Sequence, residues 1–103
     1  MEVTISGRHL DITDTIRNYA TDRANRFSRF FGGVTAVEVV IEKPDARRFE
    51  VEWIIHVSGR EHLIARGTDT DMYTCIDQAS ERIERQLHDH KERLRNHKHG
   101  DQR

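Results

Sequence analysis

The residues from 72 to 94 carry the pattern that most restricts the fold of this chain. The members of one face recur there at three- and four-residue steps, the spacing of an α-helix: Met72, Ile76, Ala79, Ile83, Leu87, His90 and Leu94. No Pro or Gly interrupts the segment before Gly100, and Thr68 or Asp69 can cap its start. A helix of about 28 residues would be roughly 42 Å long, whereas a strand of about seven residues spans about 24 Å. We therefore expect its C-terminal end to extend beyond the sheet on which it packs.

A second helical pattern lies near the N-terminus. Thr13 can cap it, and Asp14 places a negative charge in the first turn, where the helix dipole favours one. Apolar residues then recur at helical spacing up to Gly32-Gly33: Ile16, Tyr19, Ala20, Ala24, Phe27, Phe30 and Phe31. The spacing predicts a first helix over residues 13–31.

Four other segments alternate apolar and polar residues, the period of a half-buried strand. They are residues 2–8, 37–42, 49–58 and 61–66. A turn over 43–46, fixed by Pro44, and a hairpin at Gly59-Arg60 join the last three segments into an antiparallel meander. The order β-α-β-β-β-α predicts an α+β fold of two layers, with a four-stranded sheet covered by two helices on one face.

Length, charge and cysteine content restrict the class of protein. The 103 residues fit one domain. With 17 Lys and Arg against 18 Asp and Glu, the net charge of −1 excludes a uniformly basic nucleic-acid binder but permits a basic face. The apolar runs are too short to span a bilayer, and no secretory signal precedes them. Cys75, the only cysteine, excludes an internal disulfide and fits a reducing cytoplasm.

Basic residues concentrate on the two predicted helices. Helix one carries Arg17, Arg23, Arg26 and Arg29, and the last three step along one flank of its apolar face, where we expect them in water. Residues 82–98 of helix two hold six basic residues against three acidic ones. Such segregation suits a one-sided polyanion binder. Composition alone favours the plainer alternative of solvated helix faces with ion pairs such as Glu81–Arg85.

No pattern in the sequence predicts catalysis or a metal site. Cys75 lies beside the apolar face of helix two and reads as a packed thiol. The His residues at 88, 90, 97 and 99 form no i,i+4 pair, so zinc is not expected. Capping explains Asp69 and Asp71 better than a calcium loop does. No phosphate-binding glycine loop, nucleophile elbow or paired carboxylates occur, so we expect neither an enzyme nor a cofactor.

The chain resembles the ribosome hibernation promoting factors, also called ribosome-associated inhibitor A or sigma-54 modulation proteins. The similarity covers essentially the whole chain and the same order of elements, and Asp71-Met-Tyr-x-x-Ile-Asp77 is its most specific part. The other matching segments are Ile5-Ser-Gly7, Ile12-Thr-Asp-Thr-Ile-Arg17, the Arg-rich end of helix one, Gly67-Thr-Asp-Thr, Ile83-Glu-Arg-Gln-Leu87 and Lys91-Glu-Arg-Leu94.

The resemblance implies a stress or stationary-phase factor that inhibits translation. Such a factor occupies the small ribosomal subunit in the messenger and transfer RNA channel at the decoding sites, and contacts ribosomal RNA through basic residues of both helices. The RNA-binding residues expected here are Arg17, Arg23, Arg26, Arg29, Arg82, Arg85, Lys91 and Arg93. Asp89 departs from a position that is often basic in the family, which weakens the middle of that surface.

The resemblance also sets expectations for organisation and partners. Residues 1–98 would form a single ribosome-binding domain and residues 99–103 a short polar tail, as in short-form members that lack a second dimerising domain. We expect a cytoplasmic protein, monomeric off the ribosome, with no membrane partner. Two alternatives stay open: a generic binder of double-stranded RNA, and a sigma-54 modulating transcription regulator.

Overall fold

The computed structural model describes residues 1–59 and 61–100, and the order of elements is the predicted one. The elements are β1 (Glu2–Arg8), α1 (Asp14–Phe30), β2 (Val34–Asp45), β3 (Arg48–Val57), β4 (Glu61–Asp69) and α2 (Met72–Gly100). The strands lie in the order β1-β2-β3-β4, with β1 parallel to β2 and the other neighbours antiparallel. The two-layer α+β fold is therefore confirmed, and no described helix is long and apolar enough to cross a membrane.

One core lies between the sheet and the two helices. The alternation predicted from the sequence buries every second residue of β3, and Trp53 at its centre is fully buried. Its ring packs edge-on against Phe27 of α1, with centroids 5.1 Å apart. Its Nε1 donates to the Ile76 carbonyl of α2 at 3.5 Å. A single side chain therefore joins the sheet to both helices.

The two helices begin at side-chain caps. Thr13 Oγ1 accepts from the Ile16 amide at 3.2 Å, as predicted. The start predicted for α2 at Thr68 or Asp69 is wrong, because β4 continues through both residues, which pair with Glu50 and Phe49 of β3. The cap is Asp71, whose Oδ2 accepts from the amide and hydroxyl of Thr74, each at 2.9 Å. These two hydrogen bonds lower the pKa of Asp71.

Gly67 lets α2 pack directly on β4. A Cβ at this position would lie 2.8 Å from the Cys75 carbonyl, closer than real Cβ atoms come. Cys75 Sγ in turn donates to the Gly67 carbonyl at 3.2 Å. Burial, with the nearby charge of Asp69, raises the pKa of Cys75 to about 11. The prediction of a packed thiol is confirmed.

The structure moves one predicted turn and exposes one residue predicted to be buried. β2 runs through Pro44 to Asp45, so its turn to β3 falls at residues 46–47, two residues later than the centre of the predicted turn. The molecule measures 57 × 22 × 19 Å, and α2 extends beyond the sheet as expected. Leu94, placed on the buried face by its spacing, is consequently 50% exposed. Arg60 and residues 101–103 of the predicted tail lie outside the described residues.

Candidate nucleic-acid interface

The helices α1 and α2 lie side by side on the sheet and run in the same direction. Three contacts join them in chain order: Arg23 with Asp77, Arg26 with Glu84, and the Phe30 carbonyl with Lys91. All eight basic residues predicted to bind RNA lie on these two helices, whose outer surface we call the helix face. The fold thus brings the basic segments of helix one and helix two into one layer.

The prediction that Arg23 stands in water is wrong. Arg23 Nε donates to Asp77 Oδ1 at 3.1 Å, and Arg23 Nη2 donates to the Tyr19 hydroxyl at 2.9 Å and lies 2.9 Å from Asp77 Oδ1. The Tyr19 hydroxyl donates to the same carboxylate oxygen at 2.7 Å. Partial burial opposes the charge of Arg23, but the hydrogen bonds outweigh it and raise the pKa of Arg23. Burial, and then the Asp77 hydrogen bond, raise the pKa of Tyr19.

A groove between the helices is lined by Arg26 and Arg85, and Lys91 contacts Phe30, which forms one of its walls. Arg26 and Arg85 line the groove from opposite sides, and Arg26 makes only a long ion pair with Glu84, at 3.7 Å. Lys91 Nζ lies 4.7 Å from the centroid of the Phe30 ring and donates to the Phe30 carbonyl at 3.2 Å. Cations of both helices therefore surround one apolar depression.

Arg82 has a structural contact of its own. Its guanidinium donates to the Arg66 carbonyl of β4, and Gln86 Nε2 donates to the Ile64 carbonyl at 2.8 Å. Both side chains satisfy outward-facing carbonyls of an edge strand, which protects that edge from pairing with another chain. Arg82 also lines a shallow hollow with Arg66 and Arg85 on the β4 side of α2.

The remaining predicted cations are exposed. Among the described residues, no side-chain hydrogen bond or ion pair is formed by Arg17, Arg29, Arg85 or Arg93. The alternative of solvated helix faces predicted an ion pair between Glu81 and Arg85. Both side chains are described, and they do not form it. Arg17 lies about 18 Å along α1 from Arg29, so it stands apart from the groove. Exposed guanidiniums without an internal partner are available to phosphate oxygens.

Sequence reasoning missed the aromatic and acidic members of the groove. Phe30 was placed on the buried face of helix one, but it is 41% exposed and faces the ring of His88. The Phe30-Phe31 doublet was the available signal, because neighbouring helical residues point about 100° apart and cannot both face one core. Glu81, Glu84 and Asp89 also line the groove.

The fold and the helix face define a small two-layer α+β domain with exposed arginines on its helices. The chain belongs to the family described as Sigma 54 modulation protein / S30EA ribosomal protein, whose model matches residues 3–95. The resemblance found from the sequence is thereby confirmed.

Individual relatives agree with this membership. The chain is 38% identical over 93 residues to a ribosome hibernation promoting factor of Azotobacter vinelandii, covering 90% of this chain and 85% of that protein. It is 32% identical over 98 residues to the ribosome hibernation promoting factor of Escherichia coli K12, covering 94% of this chain and all of that protein (100%).

Solved structures share the fold. The N-terminal domain of Thermus thermophilus Protein Y matches with a TM-score of 0.76 at 30% identity, covering 84% of this chain and 96% of that one. A ribosomal subunit interface protein from Coxiella burnetii matches with a TM-score of 0.80 at 19% identity, covering 88% of this chain and 98% of that one.

Proposed function

We propose that this chain is a cytoplasmic ribosome hibernation factor that binds the small ribosomal subunit through its helix face. It occupies the messenger and transfer RNA channel at the decoding sites and inhibits translation in stress or stationary phase. The observation that carries the proposal is the set of exposed, internally unpaired arginines on two adjacent helices. The hibernation factors among its relatives support the ribosome as the polyanion concerned.

The proposed mechanism is occlusion, with no chemical step. Guanidinium groups of the helix face bind RNA phosphates bidentately and release condensed counterions. Six predicted residues remain as phosphate contacts, namely Arg17, Arg26, Arg29, Arg85, Lys91 and Arg93. Arg23 acts through its bond to Asp77 by fixing one helix against the other. Arg82 contributes charge while it also protects the β4 edge.

Competition on purified small subunits tests the proposal. We expect the protein to exclude both messenger RNA and initiator transfer RNA, because a long helix can cover more than one RNA element. The effect must be reciprocal in binding free energy, so saturating transfer RNA should weaken the protein's affinity by the same factor. Simultaneous binding with unchanged affinities would overturn occlusion.

A charge reversal tests which surface binds. Arg85→Glu should lower affinity for the small subunit at least tenfold and reduce the dependence on salt by about one counterion. Arg47→Glu is the matched control, since it makes the same change at an exposed residue of the β2–β3 turn. Equal effects of the two variants would contradict the assignment of the helix face.

The two alternatives give different results in the same assays. A generic binder of double-stranded RNA would prefer free duplex RNA to intact small subunits, because it reads the shape of the duplex. A sigma-54 regulator would bind a polymerase sigma factor with little dependence on salt and would not associate with ribosomes. Either result would replace the proposal.

A further inference from the structure

The groove between α1 and α2 has properties that phosphate binding does not require. Its volume is about 630 Å³, within the range of roughly 300–1,000 Å³ that is typical of sites for small molecules. Phe27, Phe30 and Leu87 give it apolar walls. A surface that only bound phosphates would need exposed cations and no such depression.

Two rings of the groove, those of Phe30 and His88, are nearly parallel. They are inclined by only 25°, with centroids 6.4 Å apart. Two successive stacking steps of about 3.4 Å each need about 6.8 Å between the outer ring planes, so a base between these rings requires the two side chains to move apart. Phe30 is held from the other helix by Lys91, which contacts both its ring and its carbonyl.

The charges that line the groove disfavour a phosphate deep inside it, while the exposed guanidiniums of Arg26 and Arg85 stay available to phosphates outside it. Two guanidiniums, of Arg26 and Arg85, stand beside three carboxylates, those of Glu81, Glu84 and Asp89. The Asp89 side chain is 78% exposed. The Glu84 carboxylate forms only a long ion pair, with Oε1 lying 3.7 Å from Arg26 Nη2. Neither carboxylate is therefore held tightly. Such acceptors suit a neutral planar group that presents N–H donors on its edge.

We propose that this groove binds one unpaired guanine base of ribosomal RNA. The base stacks against Phe30 and His88, and its N1–H and N2–H donors face the carboxylate of Glu84 or Asp89. Guanine fits because its two adjacent donors match the two oxygens of a carboxylate, whereas uracil offers one N–H between two acceptors. Sequence-specific RNA recognition generally uses unstacked bases in this way. The inference rests on the proposed function and adds a base-specific contact to it.

Titration of the full chain with single nucleotides tests the groove directly. Guanosine and uridine 5′-monophosphates carry the same phosphate, so they differ only in the base. In amide NMR spectra we expect guanosine monophosphate to shift residues around Phe30 and His88 saturably, and uridine monophosphate to shift them less. Equal shifts by both nucleotides would mean phosphate binding only, and no shift in the groove would likewise overturn the proposal.

A substitution pair tests the same contact on the ribosome. Stacking of a base on an aromatic ring is worth about 1–3 kcal/mol, so Phe30→Ala should weaken binding to small subunits between about 5-fold and 140-fold. The slope of affinity against salt should not change, because no phosphate contact is lost. Ile64→Ala is the matched control, since Ile64 of β4 is 48% exposed and Phe30 41%. Thermal melting checks that both variants fold.

The outcomes separate this proposal from the proposed function. If wild type binds small subunits but Phe30→Ala matches Ile64→Ala, the base contact is wrong and occlusion stands. If wild type does not bind small subunits, the proposed function fails, and the nucleotide titration still decides whether the groove prefers guanine. If Phe30→Ala does not fold, that titration of wild type remains the deciding measurement.

Discussion

The contact between Arg23 and Asp77 allows a quantitative test of how the helix face is held together. We consider four proteins: wild type, Arg23→Met, Asp77→Ala and the double variant. Met retains most of the apolar stem of Arg and removes the charge, so the cycle isolates the polar contact. The control cycle uses Arg26→Met and Glu84→Ala, an ion pair between the same two helices at 3.7 Å.

The structure sets the expected magnitudes. Hydrogen bonds to charged groups contribute about 1.5–3 kcal/mol when buried, and exposed ion pairs about 0.2–1 kcal/mol. The side chains of Arg23 and Asp77 are 20% and 40% exposed, and they share one hydrogen bond at 3.1 Å and an ion-pair distance of 2.9 Å. We therefore expect a coupling energy of about 1–2 kcal/mol, between those two limits. The control pair is about half exposed on both sides, and we expect at most about 0.5 kcal/mol from it.

Urea unfolding followed by tryptophan fluorescence measures these energies. Trp53 is the only tryptophan and is fully buried, so its emission reports the exposure of the core. A coupling energy for Arg23 and Asp77 no larger than that of the control pair would refute the positioning role. Binding to small subunits gives a second criterion: if Arg23→Met reduces the salt dependence by about one counterion, Arg23 contacts a phosphate after all.

Three further predictions concern binding and the core. Affinity for small subunits should fall at least tenfold between about 50 and 200 mM salt, measured by filter binding, and a flat response would remove the electrostatic argument. Ser80→Ala should raise the melting temperature, because the Ser80 hydroxyl is buried without a hydrogen-bond partner among the described residues; a lower melting temperature would reveal a partner. Cys75 should resist alkylation near pH 8 until the protein is unfolded, because burial raises its pKa to about 11. Since the native state keeps the thiol proton longer than the unfolded state, stability should decrease from about pH 9 to 11, and Cys75→Ala should reduce that decrease.

Hydrophobic periodicity was sufficient to predict the order of elements and the covered face of the sheet. It failed at the start of α2, where the local capping signal of Thr68 and Asp69 competes with their pairing to β3. A local stretch of sequence does not show which residues will form backbone hydrogen bonds with a neighbouring strand. Leu94 shows that helical spacing alone does not predict burial. Its place in α2 is the predicted one, but its side chain is 50% exposed because α2 extends beyond the sheet there.

The basic residues could be assigned to helices from the sequence, but their separate roles could not. Arg23 and Arg26 have similar local surroundings, yet Arg23 finds a carboxylate 54 residues away and becomes half-buried. The motif that carried the family resemblance supplies that partner. Asp71 caps α2, Tyr73 packs edge-on against Tyr19 with centroids 5.0 Å apart, and Asp77 binds Arg23. In this structure the most recognisable part of the sequence positions the interface.

The distribution of acidic residues explains how a chain of net charge −1 can present a face to RNA. Glu42 of β2 lies directly opposite Glu50 of β3 on the side of the sheet away from the helices, an arrangement that normally weakens a sheet. Arg8 of β1 lies opposite Glu42 on the other side of β2, and Arg66 forms an ion pair with Glu52. These two cations therefore lie next to carboxylates of the sheet. Acidic residues outnumber basic ones on the four strands, whereas basic residues outnumber acidic ones on the two helices. The proposed binding on the helix face therefore requires no net positive charge, because a polyanion is repelled by the carboxylates of one layer and attracted by the cations of the other.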